Sequence, residues 1–455
     1  MYTSNLRLIN EPAKDTPVIN EVDICVLGGS CTGVFAAVRA ARLGAKVAIV
    51  EKQNCFGGVA TLGLVNIWHS LYDTEDEKQI IAGLTEEVIE RLETRGAVQK
   101  VGYGNAYTLN TEELKIELDN LILESKVTPY LHSYYVAPHI EEGLLKAIII
   151  ENKSGRQAIQ AKVFIDATGD GDLCFQLGLD HYQLDSLQPP TACAKMYQDK
   201  KMKGFSFQKA IAKHGPEFNL KEDWGWGTFI PGLPDITFNA ETHVFNVNCA
   251  DANQLTASEI EGRRQIRALM DIARKYGPAE GTIGLAALPA SIGIRETRHI
   301  KSQYRITENE ILTGKEFDDT IANGSYRVDI HHSDCSGITF RYLDGKEEIV
   351  ATGNSERKVG WWRPKTKENP TFYQIPYRAI IPTGGFKNVL MCGRMIDADP
   401  GAFGAARVMV NLNQLGEAAG VAAYLALDSK NSVRDISINS LRKDLVKGGS
   451  ILFNC

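Results

Sequence analysis

Residues 23–44 read DICVLGGSCTGVFAAVRAARLG, an apolar run that stops at Gly28 and Gly29, meets Gly33, and continues at helical spacing. A loop of this kind binds anions. Gly28 permits a tight turn out of a strand, and Gly33 lets a helix pack close to the sheet. Position 30, where the backbone usually approaches a pyrophosphate, holds Ser30, whose hydroxyl costs clearance but can donate to a phosphate oxygen. The helix start adds N–H groups without intrahelical partners and a partial positive charge. Glu51 follows roughly twenty residues on, where a carboxylate accepts the hydroxyls of an adenosine ribose and repels a 2′-phosphate. The loop therefore predicts a dinucleotide without that phosphate.

Two further stretches separate FAD from NAD. NCFGGVATLGLVN (54–66) places Gly57 and Gly58 for a second backbone approach, where a simple NAD domain has only a connecting loop. FIDATGDGD (164–172) is an apolar strand ending in small residues, which lets the chain pass close to a bound dinucleotide. Both favour FAD.

Substrate chemistry has several candidates. SIGIRETRHIKSQYRIT (291–307) carries Arg295, Arg298, His299 and Arg305; on a strand, Arg295 and His299 share a face. Arginine forks pair with carboxylates bidentately, so Arg295 is the first choice for substrate capture, against an ion-pair network with Glu296. His69, just after the second glycine loop, is a proton donor or a packed histidine beside Trp68. Tyr373, Tyr377 and Arg378 approach from a later strand, with Tyr377 taken as the catalytic candidate. Cys31 lies inside the phosphate loop, acidified by the helix start but repelled by a pyrophosphate, so reactivity is not expected. His331 and His332 near Asp329 and Asp334 invite a metal, but no further cysteine or histidine spacing supports one, and none is expected.

The elements that must hold these groups are legible in part. DICVLG and KVAIVEK flank a helix through Val34, Ala37, Val38 and Ala41, stopped by Gly44: a βαβ unit. Residues 78–95 predict an amphipathic helix, and Asn110 with Glu113 predicts a capping box for another. VTPYLHSYYVA, LLKAIIIEN and AIQAKVFIDATG predict three meander strands. Thr256 with Glu259, and Thr307 with Glu310, predict two more capped helices. FYQIPYRAIIP and NVLMCG return to strands, and AARVMVNLNQLGEAAGVAAYLAL predicts one long helix. The expected fold class is α/β: a Rossmann-like FAD-binding domain, a parallel sheet with a β-meander, interrupted by an inserted α+β substrate or cap domain. The boundaries are 20–185 and 365–430 for the two parts of the first domain, 186–364 for the insertion, and 431–455 for a C-terminal extension.

At 455 residues, 44% hydrophobic and 23% charged, the chain is long enough for two ordinary globular domains. A net charge of −6 offers no basic field, so no nucleic acid or anionic membrane is expected as a partner. The apolar stretch GTIGLAALPASIGIRE is broken by Pro289 and ended by Arg295, short of a membrane span. The first residues lack the apolar core of a signal peptide as the chain stands. Nine cysteines with no C-x-x-C imply reduced thiols, a cytoplasmic protein and no dithiol electron relay.

Taken together, VLGGSCTG, AAVRAARLGAKVAIVEK, FGGVATLGLV, AKVFIDATGDGD, SIGIRETRHI, YQIPYRAIIP and CGRMIDADPGAFGAARVMVNLNQLGEAAGVAA make the chain resemble the FAD-dependent oxidoreductases with a glutathione-reductase or fumarate-reductase type of flavin domain. The resemblance runs from about residue 22 to residue 426. It implies that Gly28, Gly29, Ser30, Cys31, Thr32 and Gly33 surround the pyrophosphate, with Glu51 and Lys52 at the adenosine ribose. Gly57, Gly58, Ala60 and Thr61 would pass along the ribityl and flavin end. Val136 would meet adenine through its backbone, and Ala167, Thr168 and Gly169 would line the adenosine side. Gly393 and Arg394 would reach the ribityl chain, and Arg407, Val408 and Met409 the pyrimidine edge of the flavin. A helix start and an arginine there stabilise the anionic reduced ring and favour hydride transfer. Family members usually carry glycine where this chain has Ser30.

No second glycine-rich loop for a nicotinamide domain occurs. The expected activity is hydride transfer between flavin and a small organic substrate, with the electron partner open. The alternatives are fumarate-reductase-like reduction of an unsaturated acid, and a non-catalytic FAD-binding or redox-sensing protein.

Overall fold

A computed structural model describes residues 7–453, apart from 103, 222–224, 335–336, 352–356 and 431. The first strand, β1 (Val18–Leu27), leads through the glycine loop into α1 (Cys31–Arg42), whose ten residues Cys31–Ala40 are all buried. The chain returns along β2 (Val47–Val50), parallel to β1 with Ile24 opposite Val47. This is the expected βαβ unit.

Next come α2 (Leu84–Glu93) and α3 (Thr111–Glu124). The predicted 78–95 helix starts only at Leu84 because Gly83 has φ +67, and a Cβ there would lie 2.7 Å from the Glu417 carboxylate. Asn110 does cap α3, accepting from Glu112 N at 3.1 Å.

The run expected as one strand, 127–137, is two. β3 (Thr128–Tyr130) pairs parallel with β2, and after His132 at φ +50 the chain enters β4 (Tyr134–Glu141). β4, β5 (Leu144–Asn152) and β6 (Gly155–Asp166) form the antiparallel meander. One edge of β6 runs parallel to β1. Its other edge is divided: the first half pairs with β5, and the end, Phe164–Asp166, pairs parallel with β7 (Val389–Met391). Both ends of the chain thus build one Rossmann-like sheet, with the strand order β3-β2-β1-β6 and then β5-β4 or β7.

Between them, strands 194–198, 226–230, 233–240 and 283–287 form a four-stranded antiparallel sheet. It packs on α4 (Ala252–Tyr276) around its own core of Met196, Ile266, Leu269 and Ile272. α4 begins four residues before Thr256, capped by Asp251, whose carboxylate accepts from Gln254 N at 2.9 Å; Thr256 instead bonds back to Ala252 O. The Thr307–Glu310 capping box is present as expected. From Ile306 to Val328 the apolar residues rejoin the main core.

The predicted long final helix is broken. α5 (Pro400–Ala406) and α6 (Met409–Ala426) are separated by Arg407 and Val408, with Val408 extended at φ −67, ψ 146. The two helices are fastened to different partners. Gly404 sits on the Asp329 backbone, where a Cβ would be 2.7 Å from the carbonyl oxygen. Gly416 and Gly420 sit on α1, where Cβ atoms would be 2.1 Å from Thr32 O and 2.3 Å from Ala36 O. The chain turns where one attachment gives way to the other.

Candidate cofactor and substrate site

The glycine loop leaves no room for side chains. Gly28 has φ +101 and a Cβ there would be 2.4 Å from Ala167 O; one on Gly33 would be 2.0 Å from Gly28 O. Ser30 caps α1, its hydroxyl oxygen accepting from Gly33 N at 3.3 Å. That use of a lone pair leaves the hydroxyl proton able to donate, so the departure from glycine keeps a donor at the phosphate position. Gly57 N donates to Gly29 O at 2.8 Å, laying the second glycine loop against the first. Gly57 and Gly58 have φ +109 and +55, and a Cβ on Gly58 would meet Ser30 Cβ at 2.9 Å. Ala60 is buried in the short turn that follows, and Thr61 closes it by donating to Phe56 O at 2.6 Å. Cys31 is packed against Gly57 O, and burial pushes its thiol up to about 12.

Glu51 is buried, and its carboxylate accepts from Gly29 N at 2.7 Å and from Gln53 N at 2.9 Å. It ties the loop to the end of β2. Lys52 beside it is exposed, and its charge reaches Asp170. Val136 is the extra residue of a bulge: Tyr135 faces Ile150 and Ala137 faces Ile149, so Val136 has no ladder partner. A strand backbone released from its ladder is free to bond a ligand.

At the end of β6, the buried Asp166 carboxylate accepts from Thr168 N (3.1 Å), Thr168 Oγ1 (2.7 Å) and Cys174 N (2.9 Å), which fixes the Ala167–Thr168–Gly169 turn. Gly169 has φ +81, and a Cβ there would be 2.2 Å from Arg394 Nη1. Arg394, following Gly393 at φ +138, donates to Asp170 at 2.6 Å, and Thr297 donates to the same oxygen at 2.7 Å. Burial opposes the charge of Asp170, but Arg394 and Thr297 outweigh it and hold the carboxyl below its usual range. The two glycine loops, the Ala167–Thr168–Gly169 turn and Arg394 are thus packed too closely for added Cβ atoms at Gly28, Gly33, Gly58 or Gly169. The chemistry of this cradle fits an adenine dinucleotide: unpaired strand backbone, an acid tied to the loop, a helix start and a hydroxyl proton.

A second group of side chains gathers around Arg407. Arg407 caps the end of α5 and donates to Gln188 Oε1 (3.2 Å) and Asp329 O (3.4 Å), with the Asp329 carboxylate 3.6 Å away. Val408 is buried, and Met409 opens α6. Asp329 accepts from Tyr326 OH at 2.7 Å and lies 3.3 Å from His331 Nε2; His331 Nδ1 is 3.1 Å from His243 Nε2. The His69 ring lies on Tyr326 with centroids 3.9 Å apart. Burial, then the Arg327 charge, pull His69 down to about 3, so it is a neutral imidazole at physiological pH. Burial, then Arg295 and His243, likewise push His331 well below its usual value.

Arg295 belongs to this neighbourhood through its effect on His331, and it donates to Pro189 O (2.6 Å) and Thr191 Oγ1 (2.5 Å). It does not share a strand face with His299, because only His299–Ile300 of that stretch is a strand. His299 is wholly buried between Glu296 and Ile396 O, and Arg298 pairs with Asp172 at 2.8 Å. Tyr377 stands apart from the His69 group: its buried hydroxyl donates to Val433 O at 2.7 Å. Tyr373 similarly bonds Ala405 O, and Arg378 bonds Asp319. The sequence offered His331 and Asp329 only as metal candidates and missed Gln188, His243 and Tyr326. Asp329 and His331 alternate on one strand face, the single local signal available.

A sequence model of the family described as FAD dependent oxidoreductase matches residues 23–445. Dihydrolipoyl dehydrogenase of Trypanosoma brucei brucei is 30% identical over 166 residues, 34% of this chain and 31% of that enzyme, so the match spans about a third of the relative's length. A geranylgeranyl bacteriochlorophyll reductase-like protein from Thermoplasma acidophilum aligns over 95% of this chain and 84% of its own, at 13% identity and a TM-score of 0.45. A p-nitrophenol 4-monooxygenase from Pseudomonas putida aligns over 94% and 84%, at 9% identity and a TM-score of 0.43. Among the described residues no helix is long and apolar enough to cross a membrane. On the extent of the family match, and with a cradle of the right chemistry beneath it, the chain belongs to the FAD-dependent oxidoreductases.

Proposed function

We propose that this enzyme transfers a hydride between FAD and a small organic substrate at the meeting point of Arg407 and the His69–Tyr326–Asp329–His331 group. FAD supplies the two-electron acceptor or donor when bound. The loops at Gly28–Gly33 and Gly57–Thr61 hold its phosphates and ribityl chain, with Glu51, Lys52, Val136 and Ala167–Gly169 toward the adenosine. Gly393, Arg394 and the Arg407–Met409 break serve the flavin half. Within the expected insertion, 186–364, the four-stranded sheet and α4 cover the reacting ring and exclude water. Arg295 orients a polar or carboxylate substrate, and His69 and His331, held as neutral imidazoles, position it by hydrogen bonding. Seven of the cysteines are free and buried, which suits a reducing cytoplasm; Cys335 and Cys455 lie outside the described residues.

The observation that carries this reading is the break at Arg407–Val408. It sets a cation and the start of an 18-residue helix beside a buried cluster of titratable groups. Purified protein should be yellow and should bleach anaerobically with one member of a panel of alcohols, amines, hydroxy acids and nicotinamides. Yellow protein inert to the whole panel would favour a binding or sensing role.

A further inference from the structure

Asn413, in the second turn of α6, is wholly buried, yet neither Oδ1 nor Nδ2 has a hydrogen-bond partner. Native interiors seldom leave such a group unpaired. Its neighbours are better provided for: Asn411 Nδ2 donates to Tyr373 Oη at 2.9 Å, with only its Oδ1 unpaired, and Gln414 donates to Asn323 O at 2.8 Å. Among the described residues Asn413 is the one buried amide with neither end paired.

The face of α6 that carries Asn413 is fixed by Gly416 and Gly420, three and seven residues on, which lie against Thr32 O and Ala36 O. Because Gly416 meets Thr32 and Gly420 meets Ala36, α1 and α6 run side by side in the same direction. One turn back from Gly416 brings Asn413 level with the start of α1, where Ser30 and the two glycine loops meet.

We propose that Asn413 is a cofactor-binding residue whose carboxamide bonds the flavin half of FAD. The inference rests on the reading above that these loops hold FAD. A phosphate offers acceptors only and would leave Oδ1 unpaired. A ribityl hydroxyl, or the imide edge of the flavin with its N–H between two carbonyls, presents a donor and an acceptor together. The adenosine end already has Glu51 and the released backbone of Val136.

Apoprotein is titrated with FAD, followed by flavin fluorescence, and with ADP, which carries only the adenosine and phosphate half, followed by calorimetry. Asn413→Leu should weaken FAD about tenfold, the scale of one lost hydrogen bond. It should leave ADP affinity within about twofold and leave the apoprotein melting point unchanged or higher, because the orphaned amide is gone. Unchanged FAD affinity, or equal losses for FAD and ADP, would overturn the assignment and point to a buried water or a packing role. If the leucine variant does not fold, Asn413→Ser must show the same FAD-only loss at a smaller fold-change. Glu51→Arg is the control: it should weaken both ligands, and if it weakens neither, the loop assignment itself fails independently of Asn413.

Discussion

The two glycine loops and the group around Arg407 use opposite means. The loops work by close backbone approach: Gly33 under Gly28, Gly58 against Ser30, Gly169 beneath Arg394. The Arg407 group works by side chains brought from five distant segments, at positions 69, 188, 243, 326–331 and 407. A cradle of backbone tolerates almost no change at a few positions, whereas a chamber of side chains can be rebuilt one group at a time. Binding and reactivity should therefore separate under mutation.

The hardest test of that contrast is Gly33→Ala. Its methyl would stand 2.0 Å from Gly28 O, so the loop must shift. We expect a loss of about 1–3 kcal/mol in stability, read by chemical denaturation, and protein purified without yellow colour. Colour retained at full occupancy would break the comparison. Glu51→Gln comes next. It disturbs the two backbone N–H bonds at the carboxylate, each worth about 1.5–3 kcal/mol for a charged acceptor, and should weaken FAD by about 10–100-fold in a fluorescence titration.

Arg407→Met should do the reverse, keeping FAD affinity within about threefold while slowing substrate-dependent bleaching about a hundredfold in stopped flow. Equal losses in both quantities would erase the distinction between the regions.

His69 gives a smaller effect with a defined sign. Its folded value is about 3 against about 6.5 unfolded, so below pH 6.5 the unfolded chain takes up a proton that the folded one refuses. Stability then falls as pH drops, by up to about 1.4 kcal/mol per pH unit for this one group. His69→Asn should flatten the melting-temperature curve between pH 6.5 and 4.5. At the bottom of the scale, Cys31 should resist iodoacetamide at pH 8 in the folded protein, since its thiol stays protonated to about 12; rapid alkylation by mass spectrometry would contradict its packing.

The same contrast explains what the amino-acid order revealed. Gly28, Gly33, Glu51, Gly57 and Gly58 were readable because backbone approach demands glycine at fixed spacing, whatever surrounds it. The split of 127–137 at His132, the late start of α2 at Gly83 and the break at Arg407 were not. Each is set by a partner far along the chain: the edge of β2, Glu417, and the Asp329 strand. His243 and His331, 88 residues apart, share no local pattern, and their pairing exists only after the inserted sheet is built. Arg295, His69 and Tyr377 were singled out by residue type alone; the fold brings Arg295 and His69 near His331 and Tyr326, whereas the Tyr377 hydroxyl is buried on Val433 O.

With Gly416 and Gly420 riding directly on Thr32 and Ala36, and with Glu417 accepting from both Arg39 and Leu84 N, α1 and α6 behave as one rigid unit. On the proposed placement of FAD, no hinge then lies between the anchorage of its diphosphate and the perch of its reactive ring. On that placement, the breathing that admits or releases a reactant falls to the sheet of 194–287 and α4. A tether engineered between α1 and α6 should cost nothing in turnover, whereas one pinning residues 188–191 to the Rossmann sheet should arrest it.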